Sequence, residues 1–254
     1  MLGRRPVRGD ACAMNTPSSS SGRLSGRTAL VTGSTRGVGR LVAEALAREG
    51  VARVMVHGRT EGSCAETVRL VRAAGAEAIA LTAELSDPAQ VEALADRVLA
   101  LGGVDILYNN AAVMHPWRES IDLHTQRDWE WSFQVNVFAL VRLCARLIPS
   151  MRAKRWGRIV NVTSGIDKTP QLAGYGSSKW AVDKFTDDLA AELKGSGVIV
   201  SRLDPGWLRT DLGGQHAPNA PETVLPGALV PVLLPDNAAG GQFFRAQDYS
   251  KSGG

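Results

Sequence analysis

Tyr175 and Lys179 stand four residues apart in Tyr175-Gly176-Ser177-Ser178-Lys179, at the start of a segment with helical periodicity. Residues i and i+4 share a helix face, so the phenol and the ammonium are neighbours. A free tyrosine titrates near ~10 and shuttles protons poorly at neutral pH. A nearby ammonium favours the phenolate. Tyr175 is therefore a candidate general acid for a carbonyl oxygen gaining a hydride, and a general base in the reverse direction. Y-x-x-x-K arises often by chance, so its weight comes from its company. Ser164 closes the apolar run Ile159-Val160-Asn161-Val162-Thr163, and Asn109-Asn110-Ala111-Ala112 closes another. Asn136 lies between Val135 and Val137 in a helical stretch, where an asparagine bonded only to solvent would be out of place.

A second group of residues could hold a phosphate. Thr32-Gly33-Ser34-Thr35-Arg36-Gly37-Val38-Gly39 joins a β-branched run to a helical one. Glycine allows a sharp turn and close approach of a ligand, and the helix start offers unpaired N–H groups to a pyrophosphate. The spacing is G-x-x-x-G-x-G, not the G-x-G-x-x-G of many dinucleotide binders. The second strand ends His57-Gly58-Arg59, without the acid that would bind a ribose 2′-OH. Arg59 and Arg36 can instead pair with a 2′-phosphate, which favours NADP(H). The alternative is two solvated surface arginines.

These groups need elements to position them. Strands are expected at Thr28–Thr32, Arg53–His57, Ala78–Thr82, Val104–Tyr108, Arg158–Thr163 and Val198–Leu203. Helical periodicity falls at 40–49, 64–74, from Asp87 onward, 128–154 and 175–194. Asp87-Pro88-x-Gln90 opens its helix with a cap, a first-turn proline and a glutamine placed for a capping box. Strands separated by helices imply parallel βαβ crossovers. The expected fold is α/β, a single-domain doubly wound parallel sheet with helices on both faces. Ser164 and the Asn109-Asn110 pair then lie at the carboxyl edge, where such sheets bind ligands.

Taken together, the motifs resemble the short-chain dehydrogenase/reductase family over residues 26–246, a Rossmann fold. They are Thr32-Gly33-x-x-x-Gly37-x-Gly39, Asn109-Asn110-Ala111, Asn136, Ser164, Tyr175-x-x-x-Lys179 and Pro205-Gly206 with Thr210. The resemblance implies a catalytic set of Asn136, Ser164, Tyr175 and Lys179. Tyr175 would donate the proton. Lys179 would lower its pKa and bind the nicotinamide ribose. Ser164 would orient the carbonyl, and Asn136 would hold a water in a proton relay. The cofactor would lie against Gly33, Thr35, Arg36, Gly37, Val38, Gly39, Arg59, Glu84, Leu85, Asn110 and Ala111. Tyr175, Lys179, Pro205, Gly206, Leu208 and Thr210 would complete its site.

Three positions depart from the family pattern. Ala112 replaces the usual glycine and would crowd the cofactor. Glu84 stands where the family more often has Asp. Ser164 and Tyr175 are 11 apart, so the connecting loop is trimmed, with Thr163 as the fallback for Ser164.

The chain has 254 residues, 29 basic and 25 acidic, and is 44% hydrophobic. That composition excludes a disordered chain, a collagen-like repeat and a disulfide-stapled miniprotein. The pI is near 9.2, yet Arg4, Arg5, Arg8, Arg23 and Arg27 against Asp10 account for the whole net charge of +4. Residues 1–25 are expected to be a flexible basic arm and 247–254 a tail. The balanced body argues against a nucleic-acid partner. No run approaches about 18 uninterrupted apolar residues, which argues against a membrane span. Three scattered cysteines, Cys12, Cys64 and Cys144, fit reduced thiols and a cytoplasmic setting. The four histidines show no ligand spacing, so no metal is expected.

Trp117, His115, Trp207 and a substrate loop at about 211–225 surround the expected pocket, where an apolar or aromatic ketone is the loosest fit. The resemblance implies a homodimer or homotetramer through helices carrying Phe133, Val137, Leu140, Val141, Cys144 and Leu147, and Trp180, Val182, Phe185 and Leu189. A non-catalytic NADP(H)-binding regulator is the alternative function on this fold.

Overall fold

The computed structural model describes residues 22–250. Its strands are β1 (Thr28–Val31), β2 (Arg53–Gly58), β3 (Glu77–Thr82), β4 (Ile106–Asn109), β5 (Gly157–Val162), β6 (Val198–Asp204) and β7 (Phe243–Arg245). They form one sheet in the order β3-β2-β1-β4-β5-β6-β7, with every pairing parallel. The helices are α1 (Gly37–Arg48), α2 (Glu61–Ala73), α3 (Pro88–Ala100), α4 (Gln126–Phe133), α5 (Ala139–Lys154) and α6 (Ala173–Glu192).

Period-two alternation sends Val31, Val56 and Tyr108 to one face and Leu30, Met55 and Leu107 to the other. The first face packs under α1 and α2, through Val42, Leu46 and Val71. The second packs under α3, α5 and α6, through Leu94, Leu143 and Val182. Both faces are dry, as in a doubly wound sheet.

The expected strands and helices are all present, with ends shifted by a few residues. β7 is absent from the expectation: three residues between Gly-rich and polar turns carry little periodic signal. The β6-to-β7 crossover uses no α-helix. Short 3-10 turns at Pro221–Val224 and Gly227–Leu229 cover the sheet instead, burying Val224, Ala228 and Leu229. Asp87 caps α3, accepting from Ala89 N–H at 2.9 Å and Gln90 N–H at 3.4 Å. Gln90 does not complete a capping box. Its oxygen accepts from Glu84 N–H at 2.9 Å, and its amide donates to Asp87 at 2.9 Å.

The expected helix at 128–154 is two helices joined by a π turn, Gln134–Phe138. Gln126–Lys154 as a whole is long and apolar enough to cross a bilayer by length and composition, but 56% of its most apolar window is buried inside the fold. That is the pattern of a core helix.

The packed body begins earlier than residue 26. Leu24 is 1% exposed, Ser25 bridges Val51, and Arg23 donates to the Leu233 carbonyl at 3.1 Å. Only 1–21 of the expected arm lies outside the described residues. At the other end, Gln247 donates to the Pro205 carbonyl at 2.9 Å, so the tail outside the described residues is only 251–254.

β2 also reaches the glycine loop. His57 accepts from Gly33 N–H through Nδ1 at 3.1 Å, and its Nε2 lies 3.2 Å from the Ala83 carbonyl. The ring is therefore neutral with its proton on Nε2. Burial lowers its pKa to about 4, against smaller upward pulls from the Ala83 hydrogen bond and the Glu84 charge. The neutral ring is the form the fold accepts. Its stabilisation is full above about pH 6.5 and is lost as pH falls through about 4. On urea unfolding between pH 7 and pH 4, His57→Gln is expected to lose about 3 kcal/mol less than the native chain. Equal losses would count against this role. Leu24→Ala is expected to cost about 2–5 kcal/mol, and an unchanged unfolding midpoint would place residues 22–25 outside the core.

Candidate functional site

Strand register brings the functional loops to one edge. Val31 lies opposite both Val56 and Tyr108, Asn109 opposite Asn161, and Val162 opposite Leu203. The segments after β1, β4, β5 and β6 therefore leave the sheet side by side. The strand order reverses between β1 and β4, the point at which open α/β sheets form a ligand crevice.

At that point the glycine loop is braced from β4. Thr32 Oγ1 accepts from Asn110 N–H at 3.0 Å and Ala111 N–H at 3.1 Å. The Asn110 amide donates to the Thr32 and Gly33 carbonyls at 2.9 and 3.1 Å. A methyl on Gly39 would stand 2.5 Å from both Asn110 Nδ2 and the Gly33 oxygen. Gly37 has φ 54°, and a methyl there would touch Thr210 at 3.4 Å. The turn after β6, with Pro205, Gly206 (φ 83°), buried Leu208 and Thr210, thus closes the crevice from the far side. Arg36 precedes α1 without capping it by its side chain, and the first turn holds no acid. The leading N–H groups of α1 are left for an anion.

The two arginines differ. Arg59 is exposed just past β2. Arg36 forms a 2.8 Å ion pair with Asp211, both side chains about two-thirds exposed. Thr35 accepts Arg40 on its carbonyl at 2.6 Å, and Val38 packs on the core. Glu84 turns a carboxylate oxygen to Ser86 N–H at 3.0 Å, while Leu85 is buried.

The reacting groups come from β5 and α6. The Ser164 side chain stands beside the Tyr175 hydroxyl and pulls its pKa down, while Ser164 Oγ accepts from Ile166 N–H at 3.2 Å. Thr163, the fallback, donates its hydroxyl to the Lys179 carbonyl at 3.3 Å and is buried, so Ser164 is the residue that faces Tyr175. Lys179 donates to the Val162 carbonyl at 2.9 Å, and Nζ lies 5.8 Å from the centre of the Tyr175 ring. Burial lowers Lys179 to about 8, with the Asp183 charge pulling upward. Burial pushes Tyr175 up to about 12, with Ser164 pulling down and the Asp204 charge adding to the rise. The expected lowering of the phenol by Lys179 is not seen in the protein alone, where Ser164 is the group that pulls it down and burial outweighs that pull.

Asn136 lies within the π turn. Its Oδ1 accepts from Val113 N–H at 2.8 Å, and its Nδ2 donates to the Val113 carbonyl and to Ser178 Oγ, each at 2.9 Å. It clamps the segment after β4 to α6, one residue from Lys179. Ala112, in the segment so clamped, is half-buried.

Several contributors carry no motif of their own. His57 reads in the sequence as a strand end, and its bond to Gly33 N–H shows its place beside the glycine loop. Asp204 ends β6, accepts from Gly206 N–H at 2.9 Å, and its charge reaches Tyr175. Thr125-x-x-Asp128 is a capping box readable in the sequence, which starts α4 two residues before the expected Asp128. His115, expected at the pocket, instead meets His124 and Asp128. Trp207 (58%) and Trp117 (56%) are exposed. The described cysteines, Cys64 and Cys144, are unpaired and buried, and Cys12 lies outside the described residues.

A family model described as short chain dehydrogenase matches residues 27–220. A short chain dehydrogenase of Pseudocercospora fijiensis is 35% identical over 82% of this chain and 68% of its own length. An uncharacterized oxidoreductase of Mycobacterium tuberculosis is 34% identical over 85% of this chain, which spans only 63% of it. D-beta-hydroxybutyrate dehydrogenase of Cupriavidus necator is 33% identical over 74% and 73% of the two chains. Among solved structures, a 3-oxoacyl (acyl-carrier-protein) reductase of Agrobacterium tumefaciens with NADP bound superposes with a TM-score of 0.79. It is 29% identical and matches 87% of this chain and 93% of its own. With its seven-stranded parallel sheet, braced glycine loop and Ser164–Tyr175–Lys179 group, the chain belongs to the short-chain dehydrogenase/reductase family of oxidoreductases.

Proposed function

We propose that this chain is an NADP(H)-dependent oxidoreductase acting between a ketone and a secondary alcohol, with Tyr175 as general acid and base. The observation that carries the reading is the placement of Lys179, bonded to the Val162 carbonyl at 2.9 Å with Nζ 5.8 Å from the centre of the Tyr175 ring, at the sheet edge that also holds Ser164 and the open start of α1. A carbonyl oxygen lying against Tyr175 and Ser164 is held by both hydroxyls. Tyr175 stays protonated through the neutral range and is ready to donate as the oxygen gains charge. Lys179, anchored to Val162, places its ammonium under the ring, where it stabilises the phenolate left behind. Asn136 positions this group by tying α6 to the segment after β4.

The crevice fits a dinucleotide: uncapped N–H groups at α1, and no space for a Cβ at Gly39. When bound, the nicotinamide supplies or accepts the hydride. NADP(H) is favoured by the exposed Arg59 and by Arg36. An exposed ion pair such as Arg36–Asp211 is worth about 0–1 kcal/mol, so a doubly charged phosphate can take the guanidinium from it. Relatives named for 3-oxoacyl and hydroxybutyrate substrates make 3-oxoacyl thioesters worth testing beside apolar ketones. A homo-oligomer is also proposed. Val137, Leu140, Cys144, Leu147, Val182 and Leu189 are buried within the chain, so of the expected residues Trp180 would serve the pairing surface, joined by exposed Trp131 and Phe138.

NADPH oxidation is the test, run against ketones, quinones and 3-oxoacyl thioesters. Tyr175→Phe is expected to cut turnover by about 10²–10⁴-fold with NADPH binding retained, and native activity in that variant would end the mechanism. NADPH binding without turnover on any substrate would favour a non-catalytic regulator. Arg59→Ala is expected to weaken NADPH by about 10–100-fold and leave NADH unchanged; an equal effect on both would remove the 2′-phosphate assignment.

A further inference from the structure

The segment between β4 and α4 carries a cluster that carbonyl chemistry does not use. His115 is 1% exposed, and its Nδ1 lies 2.8 Å from the Pro116 carbonyl. His124 is half-buried, and its Nε2 lies 3.0 Å from the Pro170 carbonyl. A carbonyl only accepts, so in each neutral ring the proton sits on the carbonyl side. The opposite nitrogens, His115 Nε2 and His124 Nδ1, are left as bare lone pairs. Both are shut from solvent, and neither has a hydrogen-bond partner among the described residues. One nitrogen of each ring and a carboxylate oxygen of Asp128 all lie within 4.8 Å of one another.

Two buried imidazole nitrogens without a hydrogen-bond partner thus belong to rings that cluster with a carboxylate. We propose that His115, His124 and Asp128 form a binding site for a divalent metal of the zinc type, which accepts imidazole nitrogen and carboxylate oxygen. Metal-ligating histidines commonly rest their other N–H on a backbone carbonyl, as both rings do here. Asp128 Oδ2 accepts from Arg118 Nε at 3.0 Å and Thr125 N–H at 2.9 Å, while Oδ1 accepts from Arg118 Nη2 at 2.9 Å. Oδ1 keeps a lone pair for the metal, and Arg118 holds the carboxylate deprotonated and aimed. Zn–N bonds of about 2.0–2.1 Å would draw the two rings together and tie the segment after β4 to the start of α4.

The site's place gives it a consequence. A methyl on Gly174 would stand 3.2 Å from His115 Nε2 and Cδ2, and Gly174 adjoins Tyr175. The metal would stiffen the wall behind the phenol without touching substrate.

The test titrates Co2+ and then Zn2+ into chelator-stripped native protein. One Co2+ per chain is expected, with visible absorption bands from nitrogen and oxygen ligands, displacement by Zn2+ and a raised Tm. His124→Gln should weaken the metal at least about tenfold while keeping its circular dichroism and NADPH affinity. His216→Gln, at an exposed histidine, should bind as the native chain does. No Co2+ or Zn2+ uptake at micromolar concentration by the native protein, or equal uptake by His124→Gln, would overturn the site.

Discussion

Where β1 ends, the chain has no space for side chains. Gly33 lies against the Ala111 backbone, where a methyl would stand 2.9 Å from its Cα, and Gly39 lies against Asn110 and Gly33 itself. This close approach lets Asn110 cross-brace Thr32 and Gly33, and lets His57 take the Gly33 N–H. A Cβ at either glycine would push the loop off β4 and turn the first N–H groups of α1 away from the crevice. The candidate phosphate cradle is thus a product of packing. Thr32 is bonded to β4 and Gly33 and Ser34 to His57, while the leading N–H groups of α1 carry no side-chain cap.

The opposite side of the crevice depends on a different constraint. Lys179, Tyr175 and Ser164 are useful only if α6 keeps one height and rotation against β5. Lys179 is pinned to Val162, and Thr163 to the Lys179 carbonyl. The π turn inserts Asn136 between the segment after β4 and Ser178. One extra residue in the helical turn re-aims that asparagine inward, a use to which π turns are commonly put. Asn109, Asn161 and Thr186 continue the buried polar chain beneath, linking β4, β5 and α6 by bonds of 2.9 Å. The candidate catalytic residues therefore sit on regular elements, with exposed Trp117 and Trp207 on the loops around them.

Much of this was legible in the sequence because its causes are local. Strand and helix alternation, the glycine loop and the Tyr175–Lys179 spacing follow from period, φ freedom and helix geometry. What escaped depends on contacts between distant segments. The π turn leaves the apolar pattern of 126–154 almost unbroken, so one long helix was expected. β7 is too short to show a period. The pairing of Arg36 with Asp211 joins residues 175 positions apart, and no spacing rule announces it. The meeting of His115, His124 and Asp128 needs the fold of a loop that has no regular period. Leu24 looked like part of a polar arm because one leucine among Ser, Gly and Arg carries no pattern, yet it closes the end of the core.

The central claim is that one sheet edge assembles a proton donor and a hydride cofactor around a carbonyl. Following the hydride itself tests it most directly. The protein would be given NADPH carrying deuterium at both hydrogen positions of the reactive carbon of the nicotinamide, with a ketone that it turns over. The account predicts deuterium on the carbinol carbon of the alcohol, seen by NMR, and none from the reduced cofactor in bulk water. Alcohol formed without that label, or no alcohol from any ketone although NADPH binds, would contradict it.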